Sequence, residues 1–580
     1  MDTKTPFRQR EHLDYPRLTM FQLISRNARS YPEWTAYSFF RKKTTYRTFL
    51  KKIERCARAL TACGVRPGDA VTICLPNIPQ AIDCFYAINR IGAVANMVHP
   101  LSAENEITFY LDLAESRIIL TADMFYEKVA AASDAADHPV RILVTRMQDE
   151  LPPHLALAYS LTQGKDYLSL PGRGKRNNPG DGPDLTWNVF LRSGKEQIQL
   201  PRIDFDEKRT SVILYSGGTS GVPKGVCLTD LNMNGLALQA REAIGMEFKN
   251  GYTMLSCMPI FHGFGLGINI HTVLLHGAEC ILMPSFTIKT YADKLIKEKP
   301  NFIAGVPTIF EALLHMPQLD KEDLSFLKGM FCGGDSLTVE LKHKIDTFLA
   351  EHGASIQVRQ GYGLTECVTA SCLTPRDESR DGSIGIPFPD TVYAIVSPGT
   401  EDVLPPGTEG EIILRSPTVM LGYLKNEEET AQALRRLPDG NIWLYTGDLG
   451  YMDEDGYVYF RQRIKRMIVT NGYNVYPGQV ENIIDSCDEV SYSCVIGVPD
   501  RKRISRVRAY IVLRDNIKGD DECRERIMEK LRKQIAGYAL PREIIFRSEL
   551  PKTLVGKVAY RVLEQEALAE LADSQTGETE

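Results

Sequence analysis

The sequence predicts an α/β protein: a large N-terminal body of α/β layers with parallel sheets, a small β-rich subdomain, and a small α+β unit at the C-terminus. Three observations predict it. Short β-rich runs alternate with helix-period segments through the first part of the chain, which is the signature of crossover units and a buried parallel sheet. Between about 390 and 460 the pattern changes to short strands separated by turn signals. Roughly the last 120 residues then start a pattern of their own.

Taken in order, AVTIC (70–74) reads as a strand, 79–91 as a helix, VANMV (94–98) as a strand, a helix follows from about 103, and RIILT (117–121) is the next strand. Between about 155 and 200 the chain is rich in Gly, Pro and charge and reads as a surface excursion. The alternation resumes at VILY (212–215), ECILM (279–283) and FIAGV (302–306), with helices around 231–244, 289–299 and 338–352. Strands near 490–498 and 507–513 and a helix near 521–536 make up the last unit, and the acidic tail after about 565 is expected to fray.

The 580 residues are 43% hydrophobic and 24% charged, the balance of a soluble globular chain with room for several domains. A net charge of -6 argues against general nucleic-acid binding, which needs a basic footprint. The 13 cysteines form no CxxC pair and no zinc-spaced cluster, so they read as reduced thiols, and the charged N-terminus lacks a signal peptide. Both point to the cytoplasm. From Tyr252 to Ala278 there is no Asp, Glu, Lys or Arg, a length that could span a bilayer. Pro259, Gly263, Gly265, Gly267 and three histidines interrupt it, so a strand, a turn and a buried helix fit it better.

Residues 215–226, YSGGTSGVPKGV, carry hydroxyls, glycines and one lysine in a loop after an apolar strand, a composition suited to cradling phosphate. The Walker pattern fails, because Lys224 is followed by Gly225 rather than Ser or Thr. A plain linker remains the other reading of this stretch alone.

Further unusual stretches follow it: PIFHGFGLG (259–267), VPT (306–308), QGYGLTE (360–366), YTGDLG (445–450), RQRIKRMIVTNGYNVYPGQVE (461–481) and PKTLVGKV (551–558). In this order the set resembles the adenylate-forming superfamily, in its acyl-CoA synthetase branch and most of all its fatty-acyl-CoA ligases. The resemblance runs from about residue 20 to 565. It implies an AMP-binding domain over 1–462 and a mobile lid domain over 463–580. It also implies a two-step reaction: ATP converts a carboxylic acid to an acyl-adenylate with release of pyrophosphate, and CoA then displaces AMP.

The resemblance carries roles onto residues. Lys557 looks like the lysine that bridges carboxylate and α-phosphate. Ser216, Gly217, Gly218, Thr219, Ser220, Gly221 and Lys224 correspond to the phosphate loop, with Thr219 and Glu366 as Mg2+ contacts and Thr365 beside them. A surface acid at a helix start is the other reading of Glu366. Gly361, Tyr362 and Gly363 look like one wall of the adenine pocket, and Gly333, Gly334 and Asp335 like another nucleotide segment. The serine of that segment, Ser336, reads as a helix cap rather than a phosphopantetheine carrier. Asp448 and Arg463 resemble the ribose acid and its neighbouring arginine, Lys465 the hinge, and Gly472 and Tyr473 the border of the CoA tunnel. His262, Phe264 and Gly265 look like the gate and wall of the acyl pocket.

The chain departs from the family in places. Gly217 stands where a serine is usual and Gln462 where Asp or Gly is commoner, while RKRISRVR (501–508) puts five basic residues in eight where a glycine and an acid are frequent. That stretch reads either as contacts for the phosphates of CoA or as a solvated loop. The absence of an acid between Tyr252 and Ala278 disfavours an amino acid as substrate. A medium- or long-chain fatty acid is the expected substrate; aryl, phenylalkanoyl and steroid acids, or loading of a carrier protein instead of CoA, stay open. Neither nucleic acid nor a membrane span is expected, though peripheral membrane association and a homodimer are compatible with the family.

Overall fold

The computed structural model describes residues 12–152, 154–156, 182–216, 223–470, 473–500, 504–552 and 558–576. The chain forms two compact units, one of Met1–Tyr393 with Leu414–Tyr445 and the other of Ala394–Ile413 with Thr446–Glu580.

The first unit holds two large sheets. One has eight strands in the order Gly422–Tyr423, Lys224–Thr229, Thr210–Ser216, Val94–Met97, Ala70–Cys74, Ile118–Ala122, Arg141–Thr145 and Leu185–Thr186. From Thr210–Ser216 onward its neighbours are parallel, while Lys224–Thr229 folds back as a hairpin and Gly422–Tyr423 is antiparallel to it. The other has nine strands, in which Val358–Tyr362, Gly329–Cys332, Phe302–Gly305, Thr253–Ser256, Glu279–Leu282 and Thr35–Phe39 run parallel. Strands such as Ile118–Ala122 are buried along their whole length, as a sheet covered on both faces requires. The helix Tyr46–Ala62 buries Phe49, Ile53, Cys56, Ala57 and Leu60, a stripe at spacings of three and four.

The uncharged run resolves into the strand Thr253–Ser256, a π-helix over Phe264–Thr272 and a last α turn, Val273–Leu275. Among the described residues no helix is long and apolar enough to cross a membrane. The end of the supposed surface excursion is built into the fold: Leu185–Thr186 pairs with Arg141–Thr145, and the helix Trp187–Ser193 buries Trp187 and Phe190. Two aromatics three apart outweigh the polar composition around them.

In the second unit, Ile468–Thr470, Tyr473–Val475, Val490–Asp500, Ile504–Leu513 and Glu543–Arg547 form one sheet. The tail does not fray where the sequence predicts it: Tyr560–Thr576 is a helix. Leu563 and Ala567, spaced by four, are buried in a cluster with Cys494, Ile496, Val498 and Tyr510, and Leu571 packs at its edge. Its acids are also paired, Glu566 with Arg547 at 2.7 Å and Glu570 with Arg508 at 2.7 Å.

Candidate active site

Four of the motifs leave the same edge of the nine-stranded sheet. Thr253–Ser256 leads into PIFHGFGLG, Phe302–Gly305 into VPT, Gly329–Cys332 into the 333–335 segment, and Val358–Tyr362 contains Gly361 and Tyr362 and leads into Gly363. The register keeps these exits level, with Gly305 beside Cys332 and Cys332 beside Gln360. Ligands of open parallel sheets bind at this carboxyl edge, because the loops there converge.

Glycine lets the loops meet. A Cβ on Gly333 would stand 3.1 Å from the Gly361 carbonyl oxygen and 4.0 Å from the Phe264 ring, so the 333–335 segment adjoins both 361–363 and PIFHGFGLG. Gly363 has the Thr369 carbonyl oxygen 2.1 Å from its Cβ position, and Gly263 has that of Val368 at 1.7 Å. Val368 itself holds φ +69°, a conformation that costs a β-branched residue about 1–3 kcal/mol, and it lies two residues after Glu366. Asp335 is exposed, and its carboxylate accepts the Ser336 backbone N–H at 2.9 Å. The cap of the following helix is Thr338, whose hydroxyl accepts from Leu341 N, and not Ser336. Both residues carry a hydroxyl, but only Thr338 directly precedes the first helical turn.

His262 and Phe264 are half-buried at the start of the π-helix, and Gly265 lies against the Pro259 carbonyl. A π-helix inside a buried segment is uncommon and often marks a functional site. This one is pinned by a polar chain. Asn234 Nδ2 donates to the Leu18 carbonyl at 2.9 Å, which turns its Oδ1 to His271 Nε2 at 3.0 Å, and the Tyr86 hydroxyl donates to His271 Nδ1 at 2.9 Å. Burial pushes the His271 pKa down to about 3, so the ring is neutral with its proton on Nε2.

Ser216 and Lys224 face each other where the strands Thr210–Ser216 and Lys224–Thr229 pair; Gly217, Gly218, Thr219, Ser220 and Gly221, expected to hold phosphate, lie outside the described residues. The Lys224 ammonium pairs with the Glu429 carboxylate and stands 4.8 Å from the centre of the Tyr423 ring. The Tyr423 hydroxyl donates to Glu366 Oε1 at 2.8 Å. One tyrosine thus touches both Lys224 and Glu366. The sequence marks neither Tyr423 nor Glu429 beyond the LGY that precedes an acidic helix start, 421–429. Thr365 begins the short turn Thr365–Cys367 that presents Glu366. Tyr362 is half-buried, its ring edge-on to Tyr393 at 6.5 Å.

Asp448 and Arg463, the pair expected at the ribose, lie in the second unit. Asp448 is directly opposite Arg463 in a hairpin, 1% exposed, with its Oδ1 3.2 Å from Arg463 Nε. The neighbouring Gln462 is buried, and among the described residues neither end of its amide has a hydrogen-bond partner. Lys465 falls in the turn Ile464–Arg466, though its side chain is outside the described set, as is that of Tyr473 in the strand Tyr473–Val475. Gly472 and Lys557 lie outside the described residues. The chain on either side of Lys557 is closed into a neck by the Lys552 to Val558 bridge and by Ala559 N donating to the Pro551 carbonyl at 2.7 Å. Within the basic stretch, Arg506 pairs with Glu543 at 3.0 Å, and Arg508, 5% exposed, pairs with Glu543 at 2.6 Å and Glu570 at 2.7 Å. Arg508 is therefore built into the sheet beneath the tail helix rather than lying in a solvated loop, while Arg506 keeps 28% of its side chain exposed.

No group of three or more His, Cys, Asp or Glu among the described residues could hold a metal. Glu366 offers a single carboxylate, held near Lys224 through Tyr423, and one or two protein oxygens are what Mg2+ takes where phosphate and water supply its other ligands.

A parallel-sheet edge walled by glycines, with a lysine and an acid held on one tyrosine, is the kind of edge at which α/β proteins take ligands. The AMP-binding enzyme family model matches residues 24–424, and the model of its C-terminal domain matches 479–557. The chain is 35% identical over 567 residues to a long-chain-fatty-acid–CoA ligase of Bacillus subtilis, covering 96% of this chain and 95% of that one. It is 28% identical to a probable 4-coumarate–CoA ligase of Dictyostelium discoideum over 87% of both chains. Among solved structures, ATP-bound MatB from Rhodopseudomonas palustris superposes with a TM-score of 0.79 at 25% identity, covering 95% of this chain and 99% of that one. The chain therefore belongs to the AMP-binding enzyme family, and its class is that of the AMP-forming acid–thiol ligases.

Proposed function

We propose that the protein activates a medium- or long-chain fatty acid with ATP, releases pyrophosphate, and transfers the acyl group to CoA with release of AMP. The observation that carries the substrate is the near full-length likeness to a long-chain-fatty-acid–CoA ligase, at 35% identity. The apolar, uncharged lining around Phe264 and Gly265 is in keeping with an acyl chain. An aryl acid is the second reading, favoured by the likeness to a probable 4-coumarate–CoA ligase.

In this reading the glycine edge at 333–335 and 361–363 receives adenine, Asp448 and Arg463 receive the ribose, and Lys224 and the loop before it hold the outer phosphates. Glu366 with Thr365 and Thr219 would hold Mg2+, which supplies charge neutralisation on the phosphates when bound. Lys557 places a cation between carboxylate and α-phosphate, where preorganised charge has most effect on the rate. The lid, 463–580, turns about Lys465 and lines the CoA path with Gly472 and Tyr473. The site of action is the cytoplasm, with a homodimer or peripheral membrane contact compatible with it. The test is AMP release from ATP and Mg2+ over a panel of carboxylic acids, with and without CoA. Decanoate through palmitate with CoA should give the largest kcat/KM; a preference for coumarate or benzoate would replace the fatty acid by the aryl reading, and indifference to CoA would point to a carrier-protein acceptor.

A further inference from the structure

Lys224 is the one cation of the phosphate loop, yet it does not stand ready in water. Its side chain is 13% exposed, its ammonium is paired with Glu429, and one face is closed by the Tyr423 ring. Glu429 is no incidental neighbour. Its segment is stitched to the strand that carries Lys224: Leu424 N donates to the Gly225 carbonyl at 2.7 Å, and Tyr423 is in register with Val226. Within the segment, Tyr423 N donates to Thr430 Oγ1 at 2.8 Å and Glu429 N to Asn426 Oδ1 at 3.1 Å. The carboxylate therefore rides on the same rigid piece as the ammonium and stays within reach of it. At 30% exposure it can also turn into water, which Lys224 cannot do as readily.

Resting on the adenylating reading above, we infer that Glu429 is a resident counter-anion of Lys224, which a phosphate oxygen of ATP displaces and which returns as pyrophosphate leaves. A buried-side ammonium is costly to leave unpaired, so the carboxylate stabilises the nucleotide-free state and competes with polyphosphate for the same cation. Once displaced, it adds a negative charge beside the outgoing pyrophosphate and favours its release. Tyr423 keeps Lys224 in place during the exchange, because its ring contact involves neither anion.

The test is Glu429→Gln, a near-isosteric change on a partly exposed side chain, with a thermal melt as the folding control. KM for ATP and the inhibition constant for inorganic pyrophosphate should both fall, by about 1.5- to 5-fold, the range expected for a partly exposed ion pair. Raising the ionic strength should narrow the difference. Glu429→Asp, which keeps the charge, should lie between wild type and Gln. Unchanged or weaker binding of ATP and pyrophosphate by Glu429→Gln in an active enzyme would overturn the inference and make Glu429 a support for Lys224. So would a Glu429→Asp variant that binds them as tightly as Gln. A wild-type enzyme that releases no AMP from ATP with any acid would instead remove the adenylating reading, and this inference with it.

Discussion

The Val368 carbonyl oxygen occupies the space of a side chain on Gly263, 1.7 Å from where its Cβ would be. The contact locks the residue before the π-helix, next to His262, onto the turn that presents Glu366. Val368 accepts a left-handed backbone to make it. Gly263→Ala must displace backbone rather than a side chain, so the expected loss exceeds the ~1–3 kcal/mol of ordinary overpacking. An earlier thermal transition and a lowered rate of adenylate formation should appear together. Gly537→Ala, with open space around its Cβ position, is the control and should be near neutral.

Tyr423→Phe keeps the ring under Lys224 and removes the hydrogen bond to Glu366. A hydrogen bond to a charged group contributes about 1.5–3 kcal/mol, so the freed carboxylate should hold its orientation less well. If Glu366 holds Mg2+ as proposed, the apparent Mg2+ requirement should rise roughly 10-fold on that scale, with most of the rate recovered at saturating Mg2+. A Mg2+ titration of initial rates that superposes on wild type would show that the bond does not orient Glu366.

The motifs were legible because glycine and proline runs at strand ends have few other uses, and four of them do leave one sheet edge. The joint between them was not. Tyr423 lies 57 residues from Glu366, Glu429 lies 205 from Lys224, and neither pairing leaves a local signature. The π-helix was equally hidden, since nine uncharged, mostly apolar residues fit several periods at once. The acidic tail misled for a different reason: Glu566 and Glu570 look like solvated charge until Arg547 and Arg508 are placed beneath them. Charge in a sequence reads as exposure, whereas here two of the acids fasten a helix whose Leu563 and Ala567 are in the core.

The neutral histidines in the π-helix and just after it, His271 and His276, give the fold a pH dependence of known sign. Burial holds His271 near a pKa of about 3 and His276 near about 4, both below the ordinary 6.5. The unfolded chain therefore binds protons that the folded one refuses, and stability present above pH 6.5 is lost as the pH falls toward those values. Each ring should cost up to about 1.4 kcal/mol per pH unit in that window. Asp83, whose pKa burial raises to about 6, acts in the opposite direction, so the comparison to make is between variants. In urea melts from pH 7 to pH 5, His271→Gln should start less stable than wild type and lose less as the pH falls. Parallel curves would mean that His271 takes up its proton in the folded state.

Arg466 joins the turn that carries Lys465 to the chain just beyond Lys557. Its guanidinium donates to Glu481 and to the Val495 carbonyl at 3.3 Å, and it stands 4.9 Å over the ring of Tyr560, three residues after the lysine. If Lys557 serves adenylation as proposed, loosening Tyr560 should blur its placement without touching the CoA path. A cation–π contact of this kind is worth about 0.5–2 kcal/mol, so Tyr560→Leu should slow adenylate formation by roughly 2- to 30-fold. Thioester formation from a supplied acyl-adenylate should stay close to wild type. Lys557→Ala should show the same division more deeply, and a bulky replacement of Gly472 the reverse one. Equal losses in both half-reactions for Tyr560→Leu would identify the contact as a prop for the second unit as a whole, with no particular hold on the lysine.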